Sequence, residues 1–323
     1  MLLAGDLGGT KTLLGLFEAS GARPRAVHVD EFATLAYDNL PAMIGEFLAR
    51  CAVAPGAVRA ACIGAAGLVT GDTVDLTNVP WQVEAGAVRA GLGGVPLGLL
   101  NDVEAMAWAL GALTDDELVV LQAGRPAARG NAALLTLGTG LGHAILHHTG
   151  GRLVPLPSEG GHVDFAARTE REIALLRHLR ERFGRVDVER VVSGPGLANV
   201  ARFVHDGDCP AIPPGNGAGD LPAQVSRTAL DGRCSRCREA LDLWLEAFGS
   251  AAGNFAIVSV ARGGVYIGGG IPPKILPALQ AGGFIRAFRD KPPMEGLVAA
   301  VPVRVILNSR AGLLGAAVHA ASL

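Results

Sequence analysis

The chain has 323 residues, half of them apolar, 18% charged and 45 of them glycine. That is enough for two domains of ordinary size, and glycine without period or low-complexity runs implies many tight turns rather than disorder. A formal charge of −2 gives no electrostatic basis for binding nucleic acid or an anionic membrane, and no apolar run approaches the roughly 20 residues that span a bilayer.

The N-terminus MLLAGD lacks a basic leader and reaches Asp6 too early for a signal peptide, so a cytoplasmic address is expected. The first expected strands are LLAGDL and TLLGLFE, joined through GDLGGTKT at residues 5 to 12. Glycines there let backbone N–H groups turn toward a phosphate, yet the carboxylate of Asp6 would repel it. A Walker loop needs G-x-x-x-x-G-K-[ST], and here Thr10 stands in place of the last glycine. TLLGLFE alternates like a strand, so a hairpin is expected rather than a strand-to-helix turn, with Lys11 on the return strand and without a catalytic role. Taken alone, the loop reads equally as a plain tight hairpin. As a phosphate loop it accommodates Asp6 only with Mg²⁺, a hard cation that draws carboxylate and phosphate oxygens together.

AVHVDEFAT reads as a third strand, residues 40 to 52 as a helix and AACIGAAG as another strand. In LLNDVEAM, Asn101 and Glu104 have capping-box spacing ahead of Val103, Met106, Ala107 and Leu110 at helical intervals. Asp102 then falls in the first helical turn at a strand's C-terminal end, where it could serve as a general base toward a hydroxyl. The alternative is that Asn101 and Asp102 only cap the helix.

A second block starts near residue 131, where NAALLTLGTGLGHAILHH repeats the order of strand, Gly/Thr turn and strand. The repeat suggests two related domains, and two facing glycine turns could grip one polyphosphate. Gly138, Thr139, Gly140 and Gly142 make the second turn. PSEGGHVDF sets Glu159 and His162 on either side of a Gly-Gly bend, suited to a small polyol; as metal ligands, one Glu and one His are too few. Thr169 and Glu172 form a capping box for a helix stopped by Gly184, and Ser193, Gly194 and Pro195 open the next. Between them, Glu189 in VDVERVVSGPG reads either as a third polyol contact or as a solvated acid. Asp206 to Asp220 has the composition of a surface loop.

The five cysteines, Cys51, Cys62, Cys209, Cys234 and Cys237, make no disulfide framework. Cys234 and Cys237 form a C-x-x-C pair near the start of a long helix carrying Leu241, Trp244, Leu245 and Phe248 and expected to end near Ala261. A zinc site would need two more ligands at similar spacing; none is evident, so the pair reads as part of the helix. The strand GGVYIGGGIPP, ending in a three-glycine turn, then VPVRVIL and a short Ala/Leu helix close an α/β chain.

Taken in order, GDLGGTKT, LLNDVEA, LGTGLG, PSEGGHVDF, VERVVSGPG and GGVYIGGGIPP resemble the bacterial glucokinases of the sugar kinase, actin and chaperone ATPase superfamily; the likeness runs through TNVPW and FRDKPPMEGLVAAVPVRVI. It implies a two-domain actin-like ATPase (ribonuclease H-like) fold with an interdomain active-site cleft. The small domain is expected over 1–111 plus 303–323 and the large one over 112–302. Gly5, Asp6, Leu7, Gly8, Gly9 and Thr10 match the first phosphate motif, Gly138, Thr139 and Gly140 the second, and Gly268, Gly269 and Gly270 the adenosine motif. Asn101, Asp102, Glu159, His162 and Glu189 match glucose-contacting positions, with Asp102 as the base. ATP, Mg²⁺ bound at Asp6, glucose as substrate and a homodimer follow from the same likeness. A cousin family of repressors and kinases carries a cysteine-rich zinc motif after its GGH segment, whereas HVDFAARTEREIALL has no cysteine; this places the chain in the zinc-free branch. No helix-turn-helix precedes Met1, which disfavours a sugar-sensing repressor. AACIGAAGLVTG lacks the proline common at this turn, so a kinase for mannose or an N-acetylated sugar stays open, as does a non-catalytic actin-like ATP-binding protein.

Overall fold

The computed structural model describes residues 1–76, 79–212 and 221–323. Thr77 and Asn78 of TNVPW and residues 213–220 of the expected Asp206–Asp220 loop lie outside the described residues. The chain divides into two compact units, one of Met1–Glu117, Arg152–Pro157 and Asn308–Leu323, the other of Leu118–Gly151 and Ser158–Leu307.

In the first unit the elements are β1 (Leu2–Leu7), β2 (Lys11–Glu18), β3 (Arg25–Ala33), α1 (Leu40–Arg50), β4 (Ala60–Ala65), β5 (Gly67–Thr70), β6 (Thr73–Leu76), β7 (Val83–Glu84), α2 (Ala85–Gly91), β8 (Leu97–Asn101) and α3 (Asp102–Trp108). The main sheet runs β3-β2-β1-β4-β8, with β5-β6-β7 as a small separate sheet. β1 is apolar on both faces, as a central strand must be. Leu3 and Leu7 join Met43, Ile44 and Phe47 of α1 in one core, while Leu2 and Ala4 meet Leu313, Ala316 and Ala317 of the C-terminal helix Ala311–Ala320 in another. β1 and β2 pair antiparallel with Leu7 opposite Thr12, so GDLGGTKT is a hairpin as expected. β4 is parallel to β1 and β8 parallel to β4. α1 stops at Arg50, short of the expected residue 52, because Ala52 takes a left-handed backbone with φ 53°.

The second unit's sheet includes β9 (Leu118–Gln122), β10 (Ala132–Leu137), β11 (Leu141–Thr149), β13 (Gly264–Gly268) and β14 (Val303–Ile306), in the order β11-β10-β13-β14-β9. β12 (Arg152–Ser158) leads into the Glu159 bend. Around the sheet lie α4 (Glu170–Phe183), α5 (Gly194–His205), α6 (Leu221–Leu230), α7 (Ser235–Val258), α8 (Leu276–Gln280), α9 (Gly283–Arg289) and α10 (Glu295–Ala300). β10 and β11 are antiparallel, and β13 and β14 run parallel to β10. The order β2-β1-β4-β8 thus recurs as β11-β10-β13-β14, with the same strand directions, which is the repeat read from the two glycine turns. α4 has the complete Thr169–Glu172 capping box and its Gly184 stop. α7 ends at Val258 rather than Ala261, because Val260 turns left-handed at φ 48°.

One reading is overturned. Cys234 and Cys237 are not an isolated helical pair: His205 at the end of α5 and Cys209 just beyond it bring two further ligand atoms to them, all four within 4.8 Å of one another. The two added side chains come from the preceding helix–loop segment, which sequence spacing does not reveal.

Candidate active site

In the first unit, Gly5 and Leu7 belong to the buried strand, and a side chain at Gly5 would strike Ile63. The solvent-facing turn consists of Gly8, Gly9 and Thr10, closed by the Gly8 N–H donating to the Lys11 carbonyl at 3.0 Å. Thr34 holds this turn from beneath: its hydroxyl donates to the Gly8 carbonyl at 2.8 Å and its N–H to the Thr10 carbonyl at 3.0 Å. Thr12 Oγ1 shares a 2.9 Å hydrogen bond with the same hydroxyl. Lys11 pairs with Glu31 at 2.6 Å on the exposed face.

Asp6 stands at the end of β1. A Cβ at Gly312, in the first turn of the C-terminal helix, would sit 2.8 Å from Asp6 Oδ2, so only glycine lets the carboxylate approach that helix end. Burial, with the charge of Asp102 added, raises its pKa from 3.8 to about 6. A desolvated carboxylate held near a second one is a poor anion site and a good cation site. Asp6 therefore fits a divalent ion.

Asp102 opens α3 directly after β8. Its Oδ1 and Asn101 Oδ1 both accept from the Val103 N–H at 2.9 Å, and Asn101 Nδ2 donates to the Gly67 carbonyl at 3.1 Å. Asn101 thus caps α3 through Val103. The expected Asn101–Glu104 capping box is not formed, since the Asn101 side chain takes the Val103 N–H rather than that of Glu104.

In the second unit, the turn after β10 is backed by α5. Gly138 donates to the Gly140 carbonyl at 3.0 Å, and the Gly194 N–H donates to the Gly138 carbonyl at 2.9 Å. Ser193 caps α5 through Gly196, and Trp244 Nε1 holds the Ser193 carbonyl at 3.2 Å. Gly269, at φ 96°, lies against the Leu137 backbone where any side chain would collide, while Gly270 faces open space. The Gly138–Gly140 turn, the α5 N-terminus and the Gly269–Gly270 turn therefore meet at the end of β10.

The polyol candidates cluster beside this turn. Glu189 Oε2 accepts the Leu141 N–H at 2.8 Å, and the Glu189 N–H donates to the Gly161 carbonyl at 3.0 Å. Glu159 and His162 flank a 3₁₀ turn, with His162 Nε2 4.0 Å from Glu159 Oε2. His162 Nδ1 lies 3.2 Å from Asp187 Oδ2. An Nδ1–H donated to that carboxylate leaves Nε2 as an acceptor for a ligand hydroxyl. A model of the glucokinase family matches residues 3–323.

The chain belongs to the glucokinase family. It is 36% identical over 341 aligned residues to a glucokinase of Nostoc sp., covering all of this chain and 99% of that one. It is 38% identical over 319 residues to a glucokinase of Erwinia tasmaniensis, covering 98% and 96%. Among solved structures, a glucokinase from an Antarctic psychrotroph superposes with a TM-score of 0.88 at 29% identity, over 100% and 99% of the two chains. A ROK family glucokinase from Streptomyces griseus, solved with glucose and AMPPNP, shares the fold at a TM-score of 0.65 and 22% identity, over 100% and 99%. The fold is the two-domain actin-like α/β fold of sugar kinases.

In this glucokinase-family chain the supports of the site were less visible than the site itself. Asp187 stands two residues before Glu189 in the same quoted stretch and could have been paired with His162. Gly312 and Gly315 have the i, i+3 spacing of a close helix face. Thr34 had no local signal.

Proposed function

We infer that this chain transfers the γ-phosphoryl group of ATP to D-glucose, giving ADP and glucose 6-phosphate. The observation that carries the reading is the acid pair of the first unit: Asp102 at the head of α3, electrostatically coupled to the half-buried Asp6. In the proposed mechanism Asp102 accepts the 6-hydroxyl proton as that oxygen attacks the γ-phosphorus in line and ADP departs. Such general-base help is worth about 10²–10⁴-fold, and correct positioning contributes more. Asn101, Glu159, His162 and Glu189 are proposed to hold the ring hydroxyls. The Gly8–Thr10 turn, the Gly138–Gly140 turn with the α5 N-terminus, and Gly269 and Gly270 are proposed to receive the nucleotide, since glycine turns and helix N-termini suit phosphate oxygens. Asp6 would hold Mg²⁺, which when bound neutralises charge on the β- and γ-phosphates. We also propose a cytoplasmic homodimer; among the described residues no helix is long and apolar enough to cross a membrane.

The deciding experiment is ADP release with purified protein across glucose, mannose, N-acetylglucosamine and no sugar. Release that requires glucose and is fastest with it is expected. Sugar-independent release would instead point to an actin-like ATP-binding protein, and a faster rate with another hexose would reassign the substrate. The Gly67 carbonyl that holds Asn101 belongs to the turn lacking the family's proline, so the panel probes that departure directly.

A further inference from the structure

We propose that His205, Cys209, Cys234 and Cys237 form a tetrahedral structural zinc site. It lies in the second unit, apart from the segment after the Gly-Gly bend where related kinases place a cysteine-rich motif. His205 is the last residue of α5, Cys209 follows it, Cys234 is the N-cap of α7 and Cys237 sits in that helix's first turn. His205, Cys209 and Cys237 are buried and Cys234 is half-buried.

The spacing of the ligand atoms carries the assignment. The Cys209 and Cys237 sulfurs are 3.4 Å apart and those of Cys209 and Cys234 3.8 Å apart. His205 Nε2 is 3.5 Å from Cys237 Sγ and 3.9 Å from Cys234 Sγ. A tetrahedron with Zn–S of about 2.3 Å and Zn–N of about 2.0 Å has S···S edges of roughly 3.8 Å and S···N edges of roughly 3.5 Å. Four of the six edges are thus already close to those that one zinc ion requires, and all four atoms lie within 4.8 Å of one another. A disulfide needs its sulfurs at about 2.0 Å, so either pair would have to close by well over an ångström.

The surroundings suit an anionic thiolate centre. The Cys237 N–H points to Cys234 Sγ at 3.5 Å, and the N-terminus of α7, a helix of 24 residues, favours negative charge there. Arg236 donates to the His205 carbonyl at 3.3 Å and brings a positive charge alongside. The His205 ring places Nε2, not Nδ1, toward the sulfurs. On binding Zn²⁺, the three thiols become thiolates and release their protons to solvent, while His205 ligates as the neutral ring. The ion would clamp the end of α5 to the start of α7, the two helices that also meet where Trp244 holds Ser193 beneath the second phosphate turn.

The test uses the full chain purified without chelator. Elemental analysis should find close to one zinc per chain, and replacement by Co²⁺ alone should give the intense visible bands of tetrahedral cobalt with thiolate charge transfer. Cys209→Ser should weaken zinc binding by more than about tenfold, a loss already reached when outer-shell partners are removed. A chelator should lower the melting temperature of the parent chain but not of the variant. If Cys209→Ser does not fold, the cobalt spectrum of the parent chain decides alone. Absence of zinc binding, an octahedral cobalt spectrum, zinc affinity unchanged in Cys209→Ser, or a mass lower by two hydrogens that marks a disulfide would each overturn the site.

Discussion

Asp102 Oδ1 accepts the Val103 N–H at the head of α3, a place the side chain keeps whether or not it can accept a proton. Asp102→Asn should therefore lower kcat by about 10²–10⁴-fold with the KM for glucose close to that of the parent chain; a coupled assay over a glucose series measures both, and near-normal turnover would remove Asp102 as the base. Thr34 acts through the backbone it holds. Thr34→Val removes one hydroxyl shared by Gly8 and Thr12, at a stability cost of about 1–3 kcal/mol for the partners left unpaired. It should raise the KM for ATP more than that for glucose. His143 gives a residue-level pH signature. It is buried, stacks on Phe255 with ring centroids 4.4 Å apart, and has no hydrogen-bond partner for either nitrogen among the described residues. Burial lowers its pKa from 6.5 to about 4. Between these values the unfolded chain holds a proton that the folded chain lacks, so stability rises with pH across the window and is lost as pH falls through it. His143→Leu should flatten this part of the stability curve, as denaturant titrations near about pH 5 and pH 7 would show; an unchanged slope would place the acid sensitivity elsewhere.

The elements of the site are held together at glycine contacts. Gly315 lets the C-terminal helix cross α3 so closely that any side chain there would collide with the Ala105 carbonyl. In an open helix Gly→Ala gains up to about 1 kcal/mol; here Gly315→Ala should lose about 1–3 kcal/mol through overpacking. It should also cut kcat, because α3 begins with Asp102. Thermal melts with parallel kinetics check both, and a stabilised, fully active variant would show that the crossing is looser than described. Gly249 and Gly253 of α7 do the same against the α9 carbonyls of Phe284 and Phe288. Hairpins, caps and stops were legible at this scale because turn chemistry is local: Gly184, Ser193 and the Thr169–Glu172 box all act within a few residues. Helix crossings were not, since they depend on which distant face a glycine meets. The ends of α1 and α7 were overrun because Ala52 and Val260 adopt left-handed backbone without a glycine to announce it.

At the scale of the whole molecule, two similar glycine turns about 130 positions apart in the sequence gave away a duplicated strand order, and motifs in register made the family readable. What stayed hidden was the pairing of residues far apart in the chain: Thr34 under Gly8, Asp187 behind His162, His205 beside Cys237. Glu189 joins two regions within one unit, its carboxylate accepting the Leu141 N–H beside the Gly138–Gly140 turn while its N–H holds the Gly161 carbonyl of the Gly-Gly bend. If that residue contacts sugar as proposed, the two ligands share a free-energy coupling, and linkage makes the coupling reciprocal. Glucose should then tighten nucleotide binding by the same factor by which nucleotide tightens glucose. Glu189→Gln should shrink both factors together, as calorimetric titration of each ligand with and without the other would show. Equal affinities in the presence and absence of the second ligand would mean that the shared side chain carries no signal between them.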